Sequence, residues 1–236
     1  RGYRAITIDL LGHGRSDRPS DMQAYSMAGF GEQLVALLDH LEVERAVFHG
    51  LSLGANSALE AAVSAPDRIR GLIIEMPVLD DALLGCAIAF TPIMLTLTFA
   101  RTPMRALSAI TRRIPTSVPA LALPDMMLDL VRQDPEPSNA VFHGLFFHRV
   151  APPPTLRRTI TAPTLVVGHP NDPIHPFSDA DALVGEIQGA RLMRMASILE
   201  GRLFPERLSN EIAGFLAEVF AAPADAAAGT THARTA

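Results

Sequence analysis

Gly50-Leu51-Ser52-Leu53-Gly54 constrains this chain more than any other stretch. It follows an apolar run, Ala46-Val47-Phe48, and opens a helix-like run from Ala55 to Ala65. Gly-x-Ser-x-Gly between a strand and a helix is the pattern of a nucleophile elbow. The serine must sit on a turn tight enough to lift its Oγ clear of the sheet. The residues two before and two after it, Gly50 and Gly54, are therefore expected to need the absence of a side chain, and glycine also tolerates strained dihedrals. The next backbone N–H, that of Leu53, is expected to face the oxyanion of a tetrahedral intermediate. Taken alone, the stretch also fits a glycine-rich turn with an incidental serine, so the surrounding sequence has to decide.

The alternation around it is that of an α/β protein. Tyr3–Asp9 reads as a strand that breaks at a glycine-bearing turn. Met27–Leu41 carries apolar residues at helical spacing (Phe30, Leu34, Leu37, Leu38, Leu41). Further strands are expected at Ala46–Phe48, Gly71–Met76, Thr164–Gly168 and Arg191–Met195, with helices over Asn56–Ala65 and Glu206–Phe220. Strands alternating with helices imply a mostly parallel sheet covered on both faces. The pattern changes over residues 78–160, which are proline-punctuated and offer no strand. They are expected to be a helical insertion that splits a core of residues 1–77 and 161–220. Residues 221–236 read as a low-complexity, disordered tail.

Composition narrows the function. A formal charge of −5 with no basic run argues against nucleic acid. All 20 basic residues are arginine, which excludes a Walker-type phosphate loop and Schiff-base chemistry and suggests a high-GC bacterial genome. The single cysteine, Cys86, rules out a disulfide framework or a paired-cysteine metal site and suits a reducing cytoplasm. No metal or cofactor is implied. Residues 82–100 are uncharged over 19 positions, close to membrane-spanning length. Pro92, Gly85 and three threonines interrupt them, so a buried or pocket-lining helix is expected rather than a stable membrane span.

Several motifs in order resemble the α/β-hydrolase superfamily, in its helical-cap serine hydrolase type. Asp9-Leu10-Leu11-Gly12-His13-Gly14-Arg15-Ser16 is similar to the family's D-x-x-G-H-G-x-S turn. Val47-Phe48-His49-Gly50-Leu51-Ser52 resembles its elbow, and Pro66–Ile73 the run into the next strand. Pro163–Gly168 followed by Asn171-Asp172-Pro173-Ile174 resembles the strand and loop that carry the triad acid. The resemblance implies Ser52 as nucleophile and Asp172 as the carboxylate that orients the base. The reaction would be acyl transfer to Ser52, with water releasing the acid. Epoxide and haloalkane hydrolases of this fold use an aspartate at the elbow, so Ser52 points away from them; cofactor-free haloperoxidase-like members share the serine.

Two departures stand out. The family's histidine follows the last strand, where this chain reads Ala196-Ser197-Ile198-Leu199-Glu200-Gly201-Arg202-Leu203-Phe204-Pro205. Its expected position falls at about Ser197 or Ile198. His175 is the first substitute, then His169, His143 and His148; His13, His40 and His49 read as structural. Three residues from Asp172 in one loop is poor geometry for His175, so a well-placed imidazole is not expected at Ser52. The family's second oxyanion donor lies in an H-G-x-P-like loop ahead of Arg1. The chain is therefore read as N-terminally truncated, with its first strands missing and a gapped or exposed sheet edge. The expected partner is a small carbonyl substrate with an apolar portion, suggested by Leu83, Leu84, Ile88, Phe90, Ile93, Met94, Leu95, Leu97 and Phe99. A catalytically impaired ligand-binding or regulatory protein of the same fold is the alternative. Nothing in the sequence fixes the oligomeric state.

Overall fold

A computed structural model describes residues 2–113, 128–129 and 131–221. The expected tail beyond Ala221 lies outside the described residues. Four parallel strands form one sheet in the order β1 (Ala46–Leu51), β2 (Ile69–Glu75), β3 (Thr164–Gly168), β4 (Arg191–Arg194). β2 and β3 are central and almost wholly buried, so they read as unbroken apolar runs. β1 and β4 form the two edges and are correspondingly wetter.

Helix α1 (Met27–His40) starts at Ser26, whose hydroxyl accepts the Gly29 N–H at 3.0 Å. Helix α2 (Leu53–Ser64) connects β1 to β2 and ends before Pro66. It is lined with small side chains, and Asn56 to Ala62 are all buried against α1 and the sheet. Helix α3 (Ala82–Phe99), α4 (Arg101–Thr111), α5 (Pro135–Phe147) and α6 (Pro154–Arg157) fill the connection from β2 to β3. Helix α7 (Phe177–Glu186) links β3 to β4; α8 (Glu200–Leu203) and α9 (Glu206–Ala221) follow. Leu59, Leu72, Ile74, Val166 and Leu183 join α2 and α7 on one face. Ile73, Leu165, Val167, Phe215 and Val219 place α9 on the other. That distribution is what right-handed crossovers between neighbouring parallel strands produce.

Two expectations fail. Tyr3–Asp9 is not a strand: residues 2–10 make no ladder, and Tyr3 packs its ring on Phe220 of α9, 5.2 Å between centroids. A β-prone run becomes a strand only beside a sheet edge, and this one does not reach β1. The edge of β1 accordingly carries no neighbouring strand among the described residues, and Leu51 is exposed there. Of the two placements expected for residues 82–100, buried or pocket-lining, it is burial that does not hold. α3 buries Ala82, Met94 and Leu97, while Leu84, Ile88, Leu95 and Phe99 lie at the surface. By length and composition alone it is the one helix among the described residues able to cross a membrane.

Polar anchors tie the segment between β2 and β3 to the sheet layer. The Asn56 amide, one turn after Ser52, donates to the carbonyls of Val78 at 2.7 Å and Val150 at 2.5 Å and accepts from the Val78 N–H at 3.1 Å. One side chain therefore holds both ends of the segment. Buried Glu60 takes a two-pronged contact from Arg149, at 2.9 and 2.6 Å. Asp179 of α7 accepts the N–H groups of Leu79, Asp81 and Ala82 at 2.7, 3.0 and 3.1 Å, which fixes the start of α3. Burial pushes its carboxyl up, and these amides only partly offset that.

Candidate active site

Ser52 joins β1 to α2 with φ 53° and ψ −112°. A non-glycine residue there carries strain of roughly 1–3 kcal/mol, which the surrounding contacts must hold in place. They do so through the backbone: the Ser52 N–H donates to the Glu75 carbonyl at 2.9 Å, and its own carbonyl accepts the Asn56 N–H at 3.0 Å. A Cβ on Gly50 would stand 2.1 Å from the Gly54 carbonyl oxygen, so the turn closes only over glycine. Gly54 is different. A Cβ there meets nothing within 4 Å, which corrects the expectation that both glycines are sterically required. The Leu53 N–H lies in the first turn of α2, where no intrahelical acceptor is available.

Against expectation, an imidazole is well placed at Ser52. His175 Nε2 lies 2.8 Å from Ser52 Oγ, and His175 Nδ1 lies 3.1 Å from Asp172 Oδ2. The three-residue spacing works because the two carboxylate oxygens divide the labour. Oδ1 accepts the Ile174 and His175 N–H groups at 2.8 and 2.9 Å and curls the loop; Oδ2 is left for the ring. An ionised carboxylate only accepts, so Nδ1–H donates to Asp172 and the Nε2 lone pair faces the Ser52 hydroxyl. Burial pushes the Asp172 carboxyl up, but the two amides and the His175 ring more than offset it and hold it below the usual carboxylate range.

His143, His148 and His13 make hydrogen bonds elsewhere. His143 Nδ1–H donates to the Asn139 carbonyl at 2.8 Å, and His148 Nδ1–H to that of Gly144 at 2.6 Å, each back along α5. His13 donates to the Leu11 carbonyl at 3.0 Å, inside a turn where Asp9 also accepts the Arg15 N–H. His40 is exposed at the end of α1. The loop after β4, where the family's histidine was sought, is organised by Glu200: it accepts the Ala196 N–H and pairs with Arg207 at 2.5 and 2.8 Å. Among the described residues no group of three His, Cys, Asp or Glu is placed to hold a metal.

Sequence reasoning missed two features. Glu75 closes β2 with its carboxylate 3.0 Å from His169 Nε2 and 3.6 Å from His49 Nε2. Burial pushes Glu75 up, yet hydrogen bonds and charge from His169 and His49 outweigh it and bring it down to about 2. His169 opens the loop that carries Asp172, so this pair pins the loop at its root. A depressed carboxylate contributes stability that is present above its unfolded value and lost as pH falls through the folded one. From 4.5 to about 2 the contribution is on the order of 3 kcal/mol. In urea titrations between pH 4.5 and 2, wild type is therefore expected to lose stability more steeply than Glu75→Gln; parallel curves would count against the assignment. The other missed feature is Gly85 of α3. A Cβ there would stand 2.8 Å from the Pro173 carbonyl, in the loop between Asp172 and His175.

With this geometry in view, comparison with known proteins is decisive for the family. Residues 1–176 match the model for the alpha/beta hydrolase fold. The chain belongs to that family. It is 41% identical over 71 residues to an epoxide hydrolase of Caballeronia sordidicola, a match covering 30% of this chain and 22% of that protein. It is also 41% identical over 74 residues to a 2-hydroxymuconate semialdehyde hydrolase of a Pseudomonas species, covering 31% and 26%. The matched stretch is thus only about a quarter of those relatives' length. Among solved structures, a hydrolase from Pseudomonas aeruginosa superposes with a TM-score of 0.68 at 25% identity, over 88% of this chain and 77% of that one. The enol-lactonase from Burkholderia xenovorans gives 0.65 at 19% identity, over 88% and 78%, and speaks to the fold alone.

Proposed function

We propose that this alpha/beta hydrolase is a serine hydrolase acting on an ester or related carbonyl substrate with an apolar portion, through an acyl-enzyme. The 2.8 Å approach of His175 Nε2 to Ser52 Oγ carries the proposal. His175 takes the hydroxyl proton as Ser52 attacks the carbonyl, and later returns it to the leaving group. Asp172 orients the ring and stabilises the imidazolium. The Leu53 N–H stabilises the oxyanion. Water then attacks the acyl-enzyme, with His175 as base, to release the acid. Relatives named for a semialdehyde hydrolase and a 3-oxoadipate enol-lactonase support a carbonyl substrate. The apolar portion is supported by α3, which backs the His175 loop through Gly85 and carries no charged side chain from Ala82 to Phe99. The segment of residues 78–160 is read as a helical cap on a core of residues 1–77 and 161–220, and a cytoplasmic bacterial enzyme fits the arginine-only, single-cysteine composition. The non-catalytic alternative rested on the histidine missing after β4, and the 2.8 Å approach of His175 to Ser52 supports the hydrolase reading over it.

A serine-directed fluorophosphonate probe tests the reading. Wild type is expected to label rapidly, and Ser52→Ala and His175→Ala are both expected to lose labelling. Labelling that persists in His175→Ala would mean that another group activates the serine. An unlabelled wild type that binds an apolar carbonyl ligand tightly would favour the non-catalytic role.

Gly85 gives a further expectation. Adding a methyl group must displace the Pro173 carbonyl or α3 by a few tenths of an ångström, and Pro173 sits between acid and base. Gly85→Ala is expected to lower kcat by roughly 10–100-fold with KM little changed, since sub-ångström misplacement of a base costs rate rather than binding. Steady-state kinetics on an activated ester would check it, and an unchanged kcat would sink the idea.

A further inference from the structure

Helix α3, whose uncharged length supports an apolar substrate portion, also carries an apolar face turned to solvent. It runs 18 residues without a charge. Leu84, Ile88, Leu95 and Phe99 are exposed to 72, 68, 47 and 83%. Their positions, i, i+4, i+11 and i+15, form one stripe along the helix. Only 17% of its most apolar window is buried. Scattered exposed leucines need no explanation, but a continuous apolar stripe marks an interaction surface.

The two ends of the stripe carry opposite charge. Asp80 and Asp81 are exposed just before the first turn, and Arg101 is exposed just after the last. Asp81 caps nothing with its side chain. From Ala82 to Arg113 there is no acidic residue, while Arg101, Arg105, Arg112 and Arg113 all occur, in a chain whose net charge is −5. An uncharged rod of about 27 Å with acid at one end and base at the other is complementary to itself when reversed. A two-fold axis across the middle of α3 would lay stripe on stripe and set Asp81 against the partner's Arg101 at both ends, while Asp80 lies 4.0 Å from Arg157 of its own chain. An anionic lipid surface fits less well, because the aspartate pair beside Leu84 would be repelled there. We propose that α3 is the seam of a homodimer, packed antiparallel on α3 of a second copy. The inference rests on the placement of α3 and not on the hydrolase reading. A face of four exposed apolar side chains on one helix makes a weak, reversible dimer, so dissociation in the micromolar range is expected.

Sedimentation velocity of the full chain from about 1 to 100 μM tests it, with vesicles of phosphatidylglycerol in a parallel flotation assay. Wild type is expected to shift from monomer to dimer, and Ile88→Glu to remain monomeric with an unchanged circular dichroism spectrum. Charge reversal gives a second, independent check that leaves the apolar stripe intact. Asp81→Arg and Arg101→Asp should each weaken the dimer by about tenfold, and the double variant should restore it, because the reversed pair re-forms across the two-fold axis. A monomer throughout the range would overturn the proposal. So would a dimer insensitive to Ile88→Glu, a double charge reversal that fails to restore association, or flotation with vesicles by a protein that is monomeric without them.

Discussion

His175→Ala is expected to lower kcat/KM for an activated ester by about 10⁴-fold or more, and Ser52→Ala by a similar factor. The double variant should be scarcely worse than either one, because a nucleophile without its base and a base without its nucleophile are equally idle. Asp172→Asn should also cost about 10⁴-fold, for a reason visible in the loop. An asparagine can still accept the Ile174 and His175 amides, so the curl of the loop survives. Its amide can instead present a donor to the ring, favouring the tautomer with the proton on Nε2, where Ser52 needs a lone pair. Circular dichroism of Asp172→Asn should therefore match wild type while turnover collapses. A set in which Ser52→Ala is inactive and His175→Ala retains more than a tenth of wild-type rate would remove His175 from the mechanism.

How much of this was legible beforehand follows from which interactions are local. The elbow, the central strands and the helices around them are written in short-range pattern: β2 and β3 are apolar runs between turn residues, and α2 begins at the glycine-flanked serine and stops at Pro66. Their bounds moved by only a few residues. Asp172 was legible from its loop because the motif is contiguous. His175 was undervalued for a physical reason. Spacing in sequence says how far apart two residues are along the chain, but not that one carboxylate can fold the loop with Oδ1 while gripping the ring with Oδ2. Asn56, Asp179 and Glu75 were invisible because their partners lie 22 to 100 residues away in sequence. The strand expected at Tyr3–Asp9 failed through the same blindness, since a strand is defined by the neighbour it pairs with. The exposure of α3 was not legible because an apolar helix reads the same whether it faces a core, a pocket or solvent.

Gly50 and Gly54 look equivalent in the motif, and they are expected to respond in opposite ways. At Gly50 an added Cβ meets only backbone: the Gly54 oxygen at 2.1 Å, the Gly54 carbon at 2.2 Å and the Ala55 nitrogen at 2.5 Å. None of these can rotate aside as a flexible side chain would. The first turn of α2 would have to lift off the end of β1, loosening the Ser52 N–H bond to the Glu75 carbonyl that holds the strained dihedral. Gly50→Ala should therefore cost at least about 3 kcal/mol of stability, at the severe end for a single methyl group. The molecules that still fold should label poorly at Ser52. At Gly54 the same methyl group enters open space on a helix, with a backbone in the ordinary right-handed region. Alanine is the better helix former by roughly 1 kcal/mol, so Gly54→Ala should be neutral or slightly stabilising and keep its labelling. Urea denaturation of the two variants against wild type separates the cases. Equal destabilisation by both would show that the second glycine is needed for something other than room, such as the approach of substrate to the Leu53 N–H.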